Sequence, residues 1–483
     1  MRRPSALVVL CAVALLLAGC QVPSVSSDRT ESGEDSLTPS GPATDYGSDG
    51  SAPAAPGTDR LGYENGYWYN ESLSVTTEDG LNETEQEAVV ARTMARVERL
   101  RGLEFEETVP VSVVSRAEYR NDTGGEVGES LRQFDNAKFE ALFFVGEDRD
   151  SIAVQRSNRG ESVLGYYSSQ RGEIVVVSDS ETPTISRGTL AHELVHALQD
   201  QQFGLGSDAR TRDQVQGRNG LVEGDAVAVT QAYTARCGEA WECIDRPDAA
   251  SGGDRHFGIN FMQYFPYSDG PGLIADLRER GGWRTVDDAY DEYPDGAVEV
   301  TYPGRYPEWE PASVSLADRS GDDWERVRPS NDRDRPDYAV VGPSAIAGSM
   351  AYTIADDYNE SSVVRTGDVI NYEDGSLDAD GPYNYDLPAT DGWQGGRMHV
   401  YDNGAETAYV WKTAWASEAD AREFADAWER VIAHWGGSRT AAGHWVIEEG
   451  SPYADAVAVR VDGDTVTVVN APTAADLEAV HDA

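Results

Sequence analysis

An α+β fold set behind an export segment is what the sequence predicts, and three observations carry it. Apolar residues recur at helical spacing in some windows and alternate along β-branched runs in others. No repeated strand–helix–strand unit is present that would order them into a parallel sheet. The chain has 483 residues, enough for about two domains, and 40% of them are hydrophobic, sufficient for packed cores.

The start, MRRPSALVVLCAVALLLAGC, places Arg2 and Arg3 before an apolar run from Ala6 to Leu17. That is an export signal, residues 1–19, too short for a comfortable membrane-spanning helix. Leu17-Ala18-Gly19-Cys20 has the form of a lipobox, after which cleavage leaves a diacylated Cys20 at the new N-terminus. The alternatives are an uncleaved anchor and an ordinary signal with an incidental cysteine. From Cys20 to residue 60 the chain is Ser, Gly, Pro, Asp and Thr with almost no large apolar side chain, which predicts a tether. The expected location is therefore outside the cell, anchored to the membrane by lipid.

Folded sequence begins near Leu61 and is expected to form a main domain over 61–345 and an α+β subdomain over 346–483. Asn82-x-x-Glu85 has the form of an N-terminal cap, and Val90, Met94 and Val97 continue it as an amphipathic helix to about Leu100. Val109 to Val114 alternates as a strand. Two β-prone runs between Val163 and Val177 flank Ser-Ser-Gln-Arg-Gly and predict a hairpin. Helices follow over about Ile185–Gln202 and Gly220–Arg236, then short ones near Phe261, over Gly272–Arg280 and over Ser344–Asp357. In the C-terminal portion, strands are expected over Met398–Trp411 and Trp445–Ile447, and a hairpin joins Ala456–Val461 to Thr465–Val469 across Asp462-Gly463. Ser417-x-x-Asp420 caps a helix carrying Ala421, Phe424, Trp428, Val431 and Trp435, a stripe expected to be core, and Gly436 stops it.

Charge narrows the setting. The chain has 85 acidic and 39 basic residues, a net of −46, with lysine only at Lys138 and Lys412. Such a chain repels itself at low ionic strength, and at molar salt the Debye length falls to about 3 Å and removes most of that repulsion. Acidic residues spread along the whole chain are the solubility pattern of a halophile. Nucleic acid is excluded as a partner, because phosphate binding needs clustered Lys and Arg. Cys237 and Cys243 are spaced to staple a small loop by a disulfide, which export permits. Sequons at Asn70, Asn82, Asn121 and Asn359 suit a surface protein.

The chemistry sits in Thr189-Leu-Ala-His192-Glu193-Leu-Val-His196-Ala-Leu-Gln-Asp200. Two histidines four apart project from one helix face, about 6 Å apart, and can converge on one ion. Zinc accepts imidazole nitrogens and keeps a catalytic position open once a third ligand is added. Glu193 lies beside the first histidine, where its carboxylate can take a proton from water. For the third ligand we single out Glu223, in Leu221-Val-Glu-Gly-Asp-Ala on the next helix, with Gly224 permitting close helix approach; a solvated helix position is the alternative. Asp200 is a candidate to orient an imidazole, or an exposed helix end. Tyr166 and Tyr167 are candidates to donate to an oxyanion or to pack. His256, His399, His434 and His444 show no ligand spacing and are expected to be structural.

Gly165-Tyr-Tyr, the segment from Thr189 through Asp200-Gln-Gln, and Leu221-Val-Glu-Gly-Asp-Ala together resemble the gluzincin-type zinc metallopeptidases, and within them a family of haloarchaeal surface lipoproteins. Gly392-Trp-Gln-Gly-Gly-Arg397 is similar to a Gly-Trp-x-Gly-Asp-Arg segment of these proteins, with Gly396 in place of the acidic residue, and Tyr302-Pro303 stands in place of a His-Pro. The resemblance implies a zincin-like domain with Zn²⁺ on His192, His196 and Glu223, Glu193 as general base, and a peptide or protein as substrate. The competing class is a non-catalytic surface protein that keeps the fold for adhesion or scaffolding. A solute-binding lipoprotein would need two similar lobes, and no repeat supplies them.

Overall fold

The computed structural model describes residues 60–481 apart from 76–79, 123–125, 180–185, 245–254, 322, 330–335, 357, 359–360, 374 and 379–380. The export segment, Cys20, the tether up to residue 59, the helix start at Ile185 and the sequon at Asn359 lie outside the described residues. The protein is a mixed α+β chain, as its patterning predicts.

A two-stranded ribbon, β1 (Tyr63–Glu64) and β2 (Tyr67–Trp68), leads into α1 (Glu83–Arg101). Asn82 and Glu85 close the predicted capping box: the Asn82 side chain accepts from Glu85 N, and the Glu85 carboxylate accepts from Asn82 N. Gly102, at φ 81°, ends the helix in the left-handed region that glycine enters without cost. After β3 (Val111–Val114) come α2 (Arg116–Asp122), α3 (Glu129–Ala141) and α4 (Ser151–Ser162). These helices fill the stretch between the predicted strand and the predicted hairpin, where no element is expected. The hairpin follows as β4 (Gly165–Ser168) and β5 (Glu173–Val177), which leads to α5 (Arg187–Phe203) and α6 (Arg212–Ala235). The last helix starts eight residues before its predicted start, because Thr211 and Gln214 form a second capping box there.

The small sheet has the order β3-β5-β4, with β3 parallel and β4 antiparallel to the central β5. The strand β4 is thus an edge, lying against α5. Three helices then pack on α6, namely α7 (Phe257–Ser268), α8 (Gly270–Gly281) and α10 (Ala297–Thr301), while α9 (Trp283–Asp288) packs on α8. Beyond β6 (Glu325–Arg326), α11 (Gly342–Tyr352) returns to the core, followed by α12 (Thr366–Val369) and the ribbon β7 (Tyr372–Glu373) and β8 (Ser376–Leu377).

The C-terminal portion contains β9 (Trp393–Asp402), β10 (Thr407–Trp415), α13 (Glu418–His434), β11 (Gly437–Arg439), β12 (Trp445–Ile447), β13 (Ala456–Asp462), β14 (Thr465–Ala471) and α14 (Asp476–Val480). What reads as one strand over Met398–Trp411 is the inner part of the β9–β10 hairpin. The seven-stranded antiparallel sheet runs β11-β12-β13-β14-β10-β9-β6. Asp462 pairs with Thr465, so the two turn residues are Gly463 and Asp464, one position later than expected, with Gly463 at φ 60°.

Apolar periodicity becomes burial in two main cores. One joins Val90, Met94 and Val97 of α1 to Ile174 and Val176 of β5, Leu190, Leu194 and Leu198 of α5, and Val229 of α6. The other joins Leu221 and Val222 of α6, α7, α8 and α11 to one face of the large sheet and to Phe424, Trp428 and Val431 of α13. The expected boundary at 345/346 falls inside α11, whose Ala345, Ile346 and Ala347 are fully buried in this second core. The two portions therefore share one apolar interior, a continuity that local composition does not register.

Candidate metal centre

The helix α5 buries Leu190, Leu194, Val195 and Leu198, which turns His192 and His196 toward α6. There they meet Glu223. His192 Nε2 lies 3.1 Å from His196 Nε2, and both lie 3.2 Å from Glu223 Oε2. The rings stand at 90° with centroids 4.6 Å apart, so two edges converge on one point. Tetrahedral zinc with bonds of about 2.0–2.1 Å separates its ligand atoms by roughly 3.3 Å. The near-equilateral triangle of two imidazole nitrogens and one carboxylate oxygen fits that ion. Two Nε2 lone pairs at this separation repel unless a cation or proton lies between them.

The three groups also act on one another as charges. Burial pushes Glu223 up, but His196 and the hydrogen bonds from both imidazoles outweigh it and hold Glu223 well below the usual carboxylate range. Burial pushes His196 down, and Glu223 reverses this and leaves it above its ordinary value. Glu223 thus draws positive charge to the point where the two imidazole nitrogens meet, and a metal cation would replace the proton held there.

Which imidazole nitrogen faces the triangle is set by a residue the sequence analysis did not single out. His196 Nδ1 lies 2.9 Å from Gln199 Oε1, an acceptor, so Nδ1 carries the proton and Nε2 keeps its lone pair for metal. Gln199 Nε2 donates to Val222 O at 2.9 Å and to Asp225 Oδ2 at 3.3 Å. Asp225, fully buried, accepts from Arg101 Nε at 3.0 Å and from Tyr290 Oη at 2.8 Å. A polar chain thus runs from α1 through α6 to the imidazole. Position i+3 from His196 is the one signal in the sequence that could have found Gln199; Arg101 and Tyr290 are too distant in sequence to be read.

Asp200, a candidate either to orient an imidazole or to be an exposed helix end, does neither. Its Oδ2 accepts from Tyr167 Oη at 2.8 Å and its Oδ1 from Leu205 N at 2.9 Å. At the last turn of α5 the carboxylate faces β4 and the outgoing chain, while Gln199 takes the place beside His196. Tyr167 also gives its backbone N–H to Glu193 Oε2 at 2.8 Å. Glu193 and Asp200, two turns apart on one helix face, therefore clamp the edge strand at both ends of one residue. Burial raises the Glu193 carboxyl, against the lowering pull of His192, His196 and the Tyr167 N–H. Tyr166 packs its ring on Tyr119, and Tyr267 stacks on His192 with centroids 6.0 Å apart.

Gly224 does permit a close approach, but to α8 and not to α5: a Cβ there would stand 2.5 Å from the Gly270 backbone. Cys237 and Cys243 form the predicted disulfide, with Cα atoms 5.4 Å apart. Arg96 stacks over Trp241 within that loop, 4.9 Å from the ring centroid. His256 caps α7 by accepting from Ile259 N, and His434 pairs with Asp356 at 2.8 Å. His399 is buried in the large sheet and burial pushes it down to about 4. None of these three joins a ligand cluster among the described residues. Gly396 lies under the Trp393 ring, where a Cβ would come within 2.5 Å, so an acidic side chain does not fit there. Tyr302 donates its hydroxyl to Asp386 at 2.6 Å.

Residues 325–481 match a family model described as a domain of unknown function, DUF8575. The match covers the large sheet, α11 and α13 and stops short of His192, His196 and Glu223. No curated protein and no solved structure matches the chain.

Proposed function

We propose that the protein is a zinc-dependent metallohydrolase, a peptidase, held at the outer face of the cell membrane by a lipid on Cys20. The observation that supports it most is the convergence of His192 Nε2, His196 Nε2 and Glu223 Oε2 within 3.1–3.2 Å, with Glu193 fixed beside them. The amide substrate rests on the resemblance of the motif segments, and the location rests on the export segment and lipobox.

Zinc, when bound, supplies Lewis-acid polarisation of a carbonyl and acidifies water near neutral pH. His192, His196 and Glu223 would hold it. Glu193 has one oxygen engaged by the Tyr167 N–H, which leaves the other to take a proton from water and return it to the departing amine. Its raised affinity for that proton suits a group that must hold it between the two steps. The outer edge of β4 pairs with no other strand among the described residues, and an extended peptide added there would lie beside Tyr167, whose N–H Glu193 already holds. The Gln199–Asp225–Arg101 chain keeps His196 in the required tautomer throughout.

The test is hydrolysis of a peptide library by the zinc-loaded chain and by Glu193→Gln. We expect the variant to keep zinc and its melting temperature and to lose about 10²–10⁴-fold in rate. A wild-type chain that holds zinc and cleaves nothing would instead support the non-catalytic surface protein.

A further inference from the structure

We propose a second metal site, for a calcium ion, at the seam between α3 and the large sheet, formed by Glu140, Glu147, Asp455 and Asn470. It is independent of the zinc reading. One carboxylate oxygen from each of the three acids lies within 4.8 Å of the others. Calcium bonds of about 2.3–2.6 Å place ligand oxygens at this kind of spacing. The clustered donor atoms are three carboxylate oxygens, which selects a hard cation over zinc or copper.

These acids are not a solvated surface cluster. Glu140, at the end of α3, is 7% exposed and Asp455 is 5% exposed; only Glu147 faces water. The charged neighbours acting on Glu140 are Asp455 and Glu147, and those acting on Glu147 are Glu406 and Asp148. Every one of them is acidic. Burial followed by these like charges drives Glu140 well above the carboxylate range, so the group must hold a proton or a cation.

Asn470 supplies the independent sign of a ligand. It interrupts an apolar strand, Val468-Val469-Asn470-Ala471, and is 3% exposed. Register places it opposite Tyr409 and Val457, on the sheet face that meets the second core. Its amide hydrogen-bonds Asp455, while its Oδ1 is buried without a partner. An orphaned buried acceptor is destabilising, and a cation beside Asp455 would give it a partner. The backbone already brings the loops together, since Glu147 N donates to Pro452 O at 3.1 Å. An open cleft lined by Asn136, Glu140, Glu147, Glu406 and Thr407, with Arg132 at its wall paired to Asp150, gives a cation a way in from solvent. Glu140 and Glu147 belong to the N-terminal portion and Asp455 and Asn470 to the C-terminal one, so the ion would cross-link the two.

The test is calorimetric titration of the full chain with CaCl₂ after chelator treatment, in molar KCl to suppress diffuse binding, with melting temperature measured alongside. We expect one calcium per chain and a higher melting temperature. Glu147→Gln, at an exposed position that leaves the core intact, and Asp455→Asn should each weaken binding at least tenfold, and His192→Ala should leave it unchanged. Absence of both heat and melting shift overturns the proposal. So does calcium binding of equal strength in Glu147→Gln and Asp455→Asn, or a preference for Mg²⁺ over Ca²⁺.

Discussion

Replacing Gln199 by leucine tests how the histidine site is held. The volume is nearly conserved, so no cavity enters and the effect is that of the lost amide. Three contacts disappear: the acceptor for His196 Nδ1 at 2.9 Å, and the donations to Val222 O at 2.9 Å and Asp225 Oδ2 at 3.3 Å. Asp225 keeps Arg101 and Tyr290, so the main orphan is the His196 N–H. One unsatisfied buried donor costs about 1–3 kcal/mol of stability. Loss of a partner that orients a ligating imidazole costs about 10–100-fold in metal affinity, which is about 1.4–2.7 kcal/mol. The assay is zinc titration against a competing chromophoric chelator, run beside denaturant melts of the metal-free chain. Zinc affinity within threefold of wild type, in a variant that loses stability as expected, would refute the claim that Gln199 sets the His196 tautomer for metal.

Three further outcomes follow from the structure. Glu98, fully buried beside Glu64, has its carboxyl pushed up to about 9, chiefly by burial, so between its ordinary 4.5 and about 9 the folded chain holds a proton that the unfolded chain releases. Its contribution is full below about pH 4.5 and is lost as pH rises toward 9, at up to about 1.4 kcal/mol per pH unit; denaturant melts across that range should show a slope in wild type that Glu98→Gln flattens. Gly224→Ala should destabilise by about 1–3 kcal/mol and weaken zinc binding, because its Cβ meets the Gly270 backbone at 2.5 Å and must shift the helix that carries Glu223; chelator competition and thermal melts read both. With a net charge of −46, the melting temperature should rise steeply between about 0.1 M and 2 M KCl as self-repulsion is screened.

Much of the fold was legible because its signals are local. Asn82 and Glu85 announce the start of α1 three residues apart, Ser417 and Asp420 do the same for α13, and Gly463 fixes the last hairpin. The same holds for the candidate site, since His192 and His196 are four apart on one helix and Glu223, which the structure brings to them, interrupts an apolar stretch of the next. What was missed depends on pairs distant in the chain. Arg101 reaches Asp225 across 124 positions, Tyr290 reaches it across 65, and Asn470 meets Asp455 only through strand register. Asp200 and Gln199 both lie within one turn of His196, and sequence alone does not say that the strand β4 claims the first and leaves the second for the imidazole. The shared core across residue 345 escaped for the same reason: α11 has the composition of any apolar helix, and its partners lie on both sides of it in sequence.

The most direct measurement is the zinc content of the purified full chain in molar salt, by metal analysis, beside His192→Ala, with circular dichroism to show that both are folded. One zinc per chain in the wild type, lost in the variant, is the result predicted by three donor atoms at 3.1–3.2 Å. A folded wild-type chain that takes up no zinc when the ion is supplied would contradict the account.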